Sequence, residues 1–390
     1  MEIMAPTNWD DALIPEFKVL GIKEVYGKLA IDVIGGGRQA SGLVNISRKN
    51  AAGHVKKLLA AGIRFNYILN ASCLAGVEFT HSGRREIDRL LHWMVSIGIN
   101  KVTVTIPLLV EIIKETCPEM EICISTLAGV DSLAKARYWQ DVGAHEITLQ
   151  DTRVNRNFEL LQKIRAGVSL KLRLNANTGC MHDCPFSQYH ALLSSHGSQR
   201  AFSHKAGFSV EYCLINCKHA RLSNPVDFIR SQWIRPEDLG IYEEIGINGV
   251  KLIDRRSSTQ VILTIVRAYV RRRYDGNLVD LLPIYHGKSP KSAGNFLLKL
   301  RYLFHPFEND MPALFKLNSM MKCVDVYIDN RKLDGFLEHM RQLACDQTQC
   351  AKCGYCAEVA AEALRYDGSC LENAVQGYDA LRTDIIKGKY

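Results

Sequence analysis

Eight of the thirteen cysteines in this chain fall into two tight groups. Cys180 and Cys184 bracket Met181, His182 and Asp183, while Cys213 and Cys217 bracket Leu214, Ile215 and Asn216. Further on, Cys345 precedes the run Cys350-x-x-Cys353-x-x-Cys356. Thiolates are soft ligands, and four of them complete either an iron–sulfur site or a zinc site. In each early pair the three-residue gap lets both thiolates turn toward one point. Zinc knuckles favour the shorter Cys-x-x-Cys spacing, whereas a cluster is wider than a single ion and suits the longer gap. The leading reading of Cys180, Cys184, Cys213 and Cys217 is therefore a [4Fe–4S] cluster, ahead of zinc and of buried free thiols. The tail run is the one by which bacterial ferredoxins grip a cubane, and Gly354 permits its tight turn. Cys345 is the nearest fourth ligand, with Cys323 and Cys370 as substitutes. Two clusters are expected in all, with zinc the alternative at the tail.

The other candidates are polar side chains where strands are expected to end. Arg255 is suited to clamp a carboxylate, and Asp254 to orient it or move a proton; a structural ion pair at the rim serves equally. Arg38 follows three glycines, so with exposed backbone N–H groups it could hold an anion, although a glycine run also makes a plain flexible turn. His182 and His190 lie within and just beyond the first cysteine pair, as proton relays or as packed side chains. Asn70, Gln150, Asn175 and Asn177 are amide candidates for a polar substrate or for capping loops. Lys251 lies within a strand and faces either the barrel interior or a helix. No Ser/His/Asp nucleophile elbow and no HExxH motif is present.

The elements that must position these groups alternate in type. Strands are expected over 65–70, 101–106, 121–126, 146–150, 169–174 and 249–253, with a less regular one over 28–34. Helices are expected over 84–97, 108–115, 132–140, 157–164, 236–245 and 259–272. Pro107 suits a first helical turn. The run 208–212 reads as extended and leads into the second cysteine pair. Strands alternating with helices of this length indicate parallel βαβ units. Their number and short connections favour an α/β fold of (β/α) TIM-like barrel type over an open sheet. The composition shifts after residue 276, where Pro283, His286, Pro290 and Gly294 mark an irregular segment. The expected domains are a barrel over 1–276, carrying the first cysteine site at its rim, and a C-terminal iron–sulfur extension over 277–390.

A chain of 390 residues with 47% hydrophobic content holds a barrel and an appendage comfortably. It shows neither a signal-peptide pattern at its start nor an apolar run long enough to span a bilayer. A cytoplasmic protein is expected, with no membrane partner, and in that reducing compartment clustered cysteines favour metal over disulfide. The net charge of +8 is mild. Its densest run, Arg271, Arg272 and Arg273, reads first as a solvated helix end that suits the C-terminal dipole, and second as a patch for RNA or an anionic substrate.

Several stretches resemble peptidase family U32, the collagenase-like peptidases, whose members are better viewed as oxygen-independent hydroxylases. The strand Ile122–Thr126 ahead of a helix bearing Trp139, the strand Glu146–Gln150, and the ending Gly249–Ser257 look like the family's motifs, in its order. The likeness runs from about residue 30 to 275. It implies a TIM-like barrel with four cysteines holding a [4Fe–4S] cluster at the mouth, and hydroxylation without dioxygen. It further implies prephenate as an oxygen donor, a small-molecule substrate or RNA base, and an electron donor protein. Homo- or hetero-oligomers are compatible with it. The tail run is an addition to the family pattern, suited to pass electrons. The alternatives are a non-catalytic RNA-binding or scaffold protein with structural clusters and, more remotely, a peptidase.

Overall fold

In a parallel barrel every strand has its outer face covered by helices, so the outward residues must be apolar. Val25, Phe65, Val102, Ile122, Ile147, Leu172 and Val250 meet that demand, and all are buried in the main core. The computed structural model describes residues 1–203, 211–283, 325–343, 345 and 350–389. In it, eight parallel strands close in sequence order: β1 (Glu2–Pro6), β2 (Glu24–Gly27), β3 (Arg64–Leu69), β4 (Lys101–Val104), β5 (Glu121–Ile124), β6 (Glu146–Thr148), β7 (Lys171–Asn175) and β8 (Gly249–Lys251). The barrel seals where Ile3 of β1 pairs with Val250 of β8. The expected TIM-like barrel is what the chain forms. No helix of the described residues is long and apolar enough to cross a membrane.

The inward residues are unlike the outward ones. At the N-terminal end of the barrel, Lys101 Nζ lies 3.0 Å from both Glu24 Oε2 and Glu146 Oε2, and Arg173 Nε lies 2.5 Å from Glu146 Oε1. Asn66 donates to Glu24 Oε1 at 3.0 Å and accepts from the Thr103 hydroxyl at 2.8 Å. Buried charges survive only when paired and hydrogen-bonded, and this floor is paired throughout. Gly249 makes room for it, since a Cβ there would lie 3.3 Å from Arg173 Nη1. The floor plugs one end of the barrel and leaves the C-terminal end as the open mouth.

The helix readings hold with small shifts in their ends. Pro107 opens the helix Pro107–Thr116, and Gly143 caps Leu133–Val142 with φ 96°. Two readings need correction. Residues 28–34 are not a strand: the second strand is Glu24–Gly27, and the segment after it is a loop organised around Asp32. The expected extended run 208–212 does not lead directly into the second cysteine pair, because Tyr212 already opens a helix. Residues 204–210 lie outside the described residues, and Cys213 and Cys217 sit on the helix Tyr212–Ser223. The first strand, β1, was not among the expected elements.

Beyond the barrel, β9 (Val326–Ile328) and β10 (Leu364–Tyr366) form a two-stranded antiparallel sheet. The residues around the expected boundary at 276 and 277 are held by this extension: Asn277 Nδ2 donates to Val326 O, and Asn277 Oδ1 accepts from Ile328 N at 2.9 Å. The terminal helix Gly368–Ile386 lies along Tyr212–Ser223, with His219 Nε2 3.0 Å from Asp379 Oδ1. Of the irregular segment, Pro283 is described, whereas His286, Pro290 and Gly294 lie outside the described residues.

Candidate active site and cysteine centres

The loop that leaves β2 shows how local sequence builds the mouth. Lys28 Nζ pairs with Asp32 Oδ2 at 2.7 Å, and the Tyr67 hydroxyl donates to the same oxygen at 2.9 Å. Asp32 Oδ1 accepts from the backbone N–H groups of Ile34 and Gly35. Gly36 N then donates to Ser198 Oγ at 2.8 Å, and Gly37 N to Asn70 Oδ1 at 3.0 Å. These N–H groups are therefore spent inside the protein, which removes the exposed backbone anion nest expected around Arg38. The glycines serve close approach instead: Gly35 has φ +77°, and a Cβ on it would lie 2.8 Å from Ser195 O.

Arg38 emerges from that loop toward the end of β8. Its Nε lies 3.4 Å from Asp254 Oδ2, and Arg256 Nε lies 2.7 Å from the same oxygen. Burial pushes the Asp254 carboxyl up, but Arg256 and Arg38 outweigh it and hold the group well below the usual carboxylate range. Arg255 is buried beside them, near Tyr26 and Asp254. His190 sits on the helix Ser187–His196, where burial lowers its pKa; Glu211 opposes that shift, and Arg38 and Arg256 add to it. The four residues expected to act thus lie around one mouth. Lys251 points into the barrel, its Nζ 4.2 Å from the centre of the Tyr26 ring. The amides take the capping role where their bonds are clear: Asn70 Nδ2 donates to Ser125 Oγ, and Asn177 Oδ1 accepts from Ile253 N at 2.7 Å.

Asp151, just past β6, was not singled out in the sequence. Burial raises its pKa, against hydrogen bonds from Asn175 and Thr178. It stands within electrostatic reach of Cys180, as does Arg38. An acidic residue one step beyond a strand's C-terminal end was the available signal.

The rim cysteines lie within electrostatic reach of one another. Cys180 and Cys184 lie in the loop after β7, and four-residue spacing on a helix puts Cys213 and Cys217 on one face. Cys180 feels Cys217, Cys184 feels Cys217, and Cys213 feels both Cys184 and Cys217. Burial is the main cause that pushes Cys180 up to about 12 and Cys213 up to about 11. Arg221, one turn beyond Cys217, donates from Nη1 to its Sγ at 2.9 Å and from Nη2 to Gly179 O, tying the helix to the loop. Reading residues 213–221 as a helix would have found Arg221 from its spacing.

The tail cysteines form a second group. Cys345 feels Cys350, Cys356 and Cys353, and burial pushes it up to about 11. Gly354, with φ 69°, turns the chain between Cys353 and the helix Tyr355–Ala363. Cys345, Cys350 and Cys356 line a cavity of about 280 Å³, together with Met181, His182, Asp183 and Pro185. One loop therefore carries Cys180 and Cys184 of the first group and forms a wall of the second. Arg156 and Arg230 also line the cavity. Arg156 is buried under Trp233, 4.1 Å from the ring centre; burial lowers it to about 10, while Cys356 and Cys345 oppose that shift. Nothing in its local pattern marked Arg156, because its partners are distant in sequence.

None of the described cysteines is in a disulfide. Among the described residues, no three His, Cys, Asp or Glu side chains converge as a ready-made site for a single ion. Cys370 is exposed, and Cys323 lies outside the described residues. Arg272 pairs with Glu243 and Arg273 with Asp275 at exposed positions, so these two arginines form the solvated helix end first read from the sequence.

Comparison with known proteins places these features in context. The family model described as peptidase family U32 matches residues 45–173. An uncharacterized protease of Methanocaldococcus jannaschii is 30% identical over 303 residues, covering 78% of each chain. Among solved structures, the U32 peptidase Mk0906 is similar at 19% identity and TM-score 0.47, over 64% of this chain and 92% of that one. Phosphoribosyl anthranilate isomerase from Thermus thermophilus is similar at 12% identity and TM-score 0.38, over 70% of this chain and 98% of that one.

Proposed function

The chain belongs to peptidase family U32, and on that premise we propose that it is an iron–sulfur redox enzyme, an oxygen-independent hydroxylase of a small molecule or RNA base. The observation that supports this reading is that the loop carrying Cys180 and Cys184 also walls the cavity lined by Cys345, Cys350 and Cys356, while Cys213 and Cys217 lie on the helix Tyr212–Ser223 within electrostatic reach of Cys184. Cys180, Cys184, Cys213 and Cys217 would hold one [4Fe–4S] cluster; Cys345, Cys350, Cys353 and Cys356 would hold the other. Cys345 is the favoured fourth tail ligand, since it lines the same cavity as Cys350 and Cys356; Cys353 and Cys370 are both exposed, and Cys323 lies outside the described residues. Buried thiols resist ionisation unless positive charge lies near, and Arg221 and Arg156 supply part of that charge beside each group. The tail cavity of about 280 Å³ suits a multi-iron cluster better than a lone zinc ion. When bound, such clusters supply one-electron transfer.

The chain's own residues then divide the remaining work. Arg255 and Arg38 orient the substrate at the mouth, and Asp254 holds Arg38 and Arg256 in place. Asp151, whose carboxyl burial favours in its protonated form, and His190, which burial favours as neutral, are the groups able to give and take a proton. The resemblance that pointed to hydroxylation also points to prephenate as the oxygen donor and to an external electron donor protein.

The family name invites a peptidase reading, and one row of residues bears on it. Thr7 Oγ1 lies 2.9 Å from His54 Nε2, and His54 Nδ1 lies 2.7 Å from Asp11 Oδ1. Thr7, however, is 1% exposed, accepts from Trp9 N, and packs with Trp9 and Phe65 on the outer side of the barrel. A nucleophile needs substrate within reach, so this row is read as structural. The test is anaerobic incubation of the reduced protein with candidate metabolites and RNA. A product heavier by one oxygen atom supports the proposal. Peptide cleavage that survives removal of iron overturns it.

A further inference from the structure

The tail cavity gathers positive charge that its surroundings leave unanswered. Arg156 is 3% exposed and held on several sides. Its Nη1 donates to Ile229 O at 2.7 Å and its Nη2 to Trp233 O at 3.1 Å, while its guanidinium lies 4.1 Å and 5.1 Å from the ring centres of Trp233 and Phe336. No carboxylate pairs with it among the described residues, and its Nε is buried without a partner. Arg230, on the helix Asp227–Arg230, repeats the pattern: Nη1 donates to Asp227 Oδ1 at 3.2 Å, and Nε is buried without a partner. Both arginines line the cavity with Cys345, Cys350 and Cys356. The two carboxylates on its wall already face cations, Asp227 through Arg230 Nη1 and Asp183 through Arg153 at 3.8 Å.

Buried polar groups are nearly always paired, and a buried guanidinium without an opposing charge is costly. Two spare N–H donors beside three thiols suit sulfur as their acceptor. Burial pushes the Cys356 thiol up, and Arg156 and then Arg230 oppose that shift, so both cations act on this sulfur. Arg156 is fixed by two backbone carbonyls and two rings, which keeps its charge beside the cavity. Hydrogen bonds to cluster sulfur and nearby positive charge favour the reduced, more negative form, and so raise a reduction potential. The rim group is served differently, because Arg221 already donates to Cys217 and to Gly179 O. We propose that Arg156 and Arg230 set the reduction potential of the tail group, their Nε–H groups donating to its sulfur and raising the potential at which it accepts an electron. This rests on the reading that the tail thiols hold an iron–sulfur cluster, and goes beyond it in assigning the two arginines that tune it.

The full-length protein, purified anaerobically, is assayed for iron and titrated with dithionite at known potential, each cluster being followed by electron paramagnetic resonance. The signal lost in Cys353→Ala identifies the tail group. Arg156→Met and Arg230→Met should each lower the tail midpoint by about 59 mV or more, a tenfold shift in a one-electron equilibrium, with iron content and the rim midpoint unchanged. Arg156→Lys should lower it less, because the charge stays. Where Arg156→Met loses fold or iron, Arg230→Met decides, since its side chain is 32% exposed and lies at the edge of the core. The inference is overturned if Arg230→Met keeps its iron and shifts the tail equilibrium less than about twofold, or if both midpoints move together. Iron-free wild-type protein would instead overturn the tail cluster itself, and the inference with it.

Discussion

Lys251 and Asp254 stand three residues apart and answer burial in opposite ways. Asp254 keeps its charge because two arginines surround it. Lys251 lacks such a partner, and burial, aided by Arg255, lowers it from 10.5 to about 7; Cys123 and Glu146 offset this in part. Between those two values the folded protein binds fewer protons at this site than the unfolded chain. The burden of the buried ammonium is therefore fully present below about pH 7 and fades as pH rises toward 10.5. At about 1.4 kcal/mol per tenfold, it is on the order of a few kcal/mol. Lys251→Met should accordingly stabilise the protein most at pH 6, with the advantage shrinking by pH 9, as measured by urea unfolding. A constant difference across that range would mean that Lys251 is not a buried titrating amine. Lys251 was visible in the sequence as a strand residue of undecided direction. The barrel decided it, because Gly249 and Lys251 share the face that Gly249 must turn inward to admit Arg173.

At the scale of elements, the loop from Lys28 to Arg38 shows why local pattern misled. Leu29, Ala30, Val33 and Ile34 look like a strand, yet Asp32 collects backbone and side-chain donors and folds the segment back on itself. A hydrogen-bond hub of this kind overrides β propensity and leaves no periodic trace. The glycine run was legible, but its use was not: close approach to Ser195, Ser198 and Asn70 depends on partners more than thirty residues away. Gly35→Ala is expected to cost about 2–4 kcal/mol, from the positive φ and the collision with Ser195 O. A loss below about 0.5 kcal/mol in chemical denaturation would show that the loop yields easily. Cys213 and Cys217 carry the converse lesson. Their spacing fits a loop pair or one helical face, and the helix Tyr212–Ser223 brings Arg221 to the same side, which a loop would not.

Across the whole molecule, the barrel was the most legible feature, because alternating strands and amphipathic helices repeat one physical demand eight times. The charged floor, Glu24, Lys101, Glu146 and Arg173, was hidden, since each residue is a single charge opening or interrupting an apolar strand. The docking of the tail beside the rim loop was hidden as well, because no local motif encodes that Met181 and Cys345 line one cavity. On the proposed reading, the two cysteine groups have separable roles. Cys353→Ala should leave the rim group and the fold intact while abolishing turnover if the tail group relays electrons, and aggregation of this variant instead would mark the tail as a structural clip.

The central claim is that eight thiols from distant parts of the chain hold inorganic iron, and the direct measurement is the iron and acid-labile sulfide content of anaerobically purified protein, with its visible spectrum. Two cubanes predict about eight iron and about eight sulfide per chain, bleached by reduction. Stoichiometric zinc with no sulfide would contradict the account.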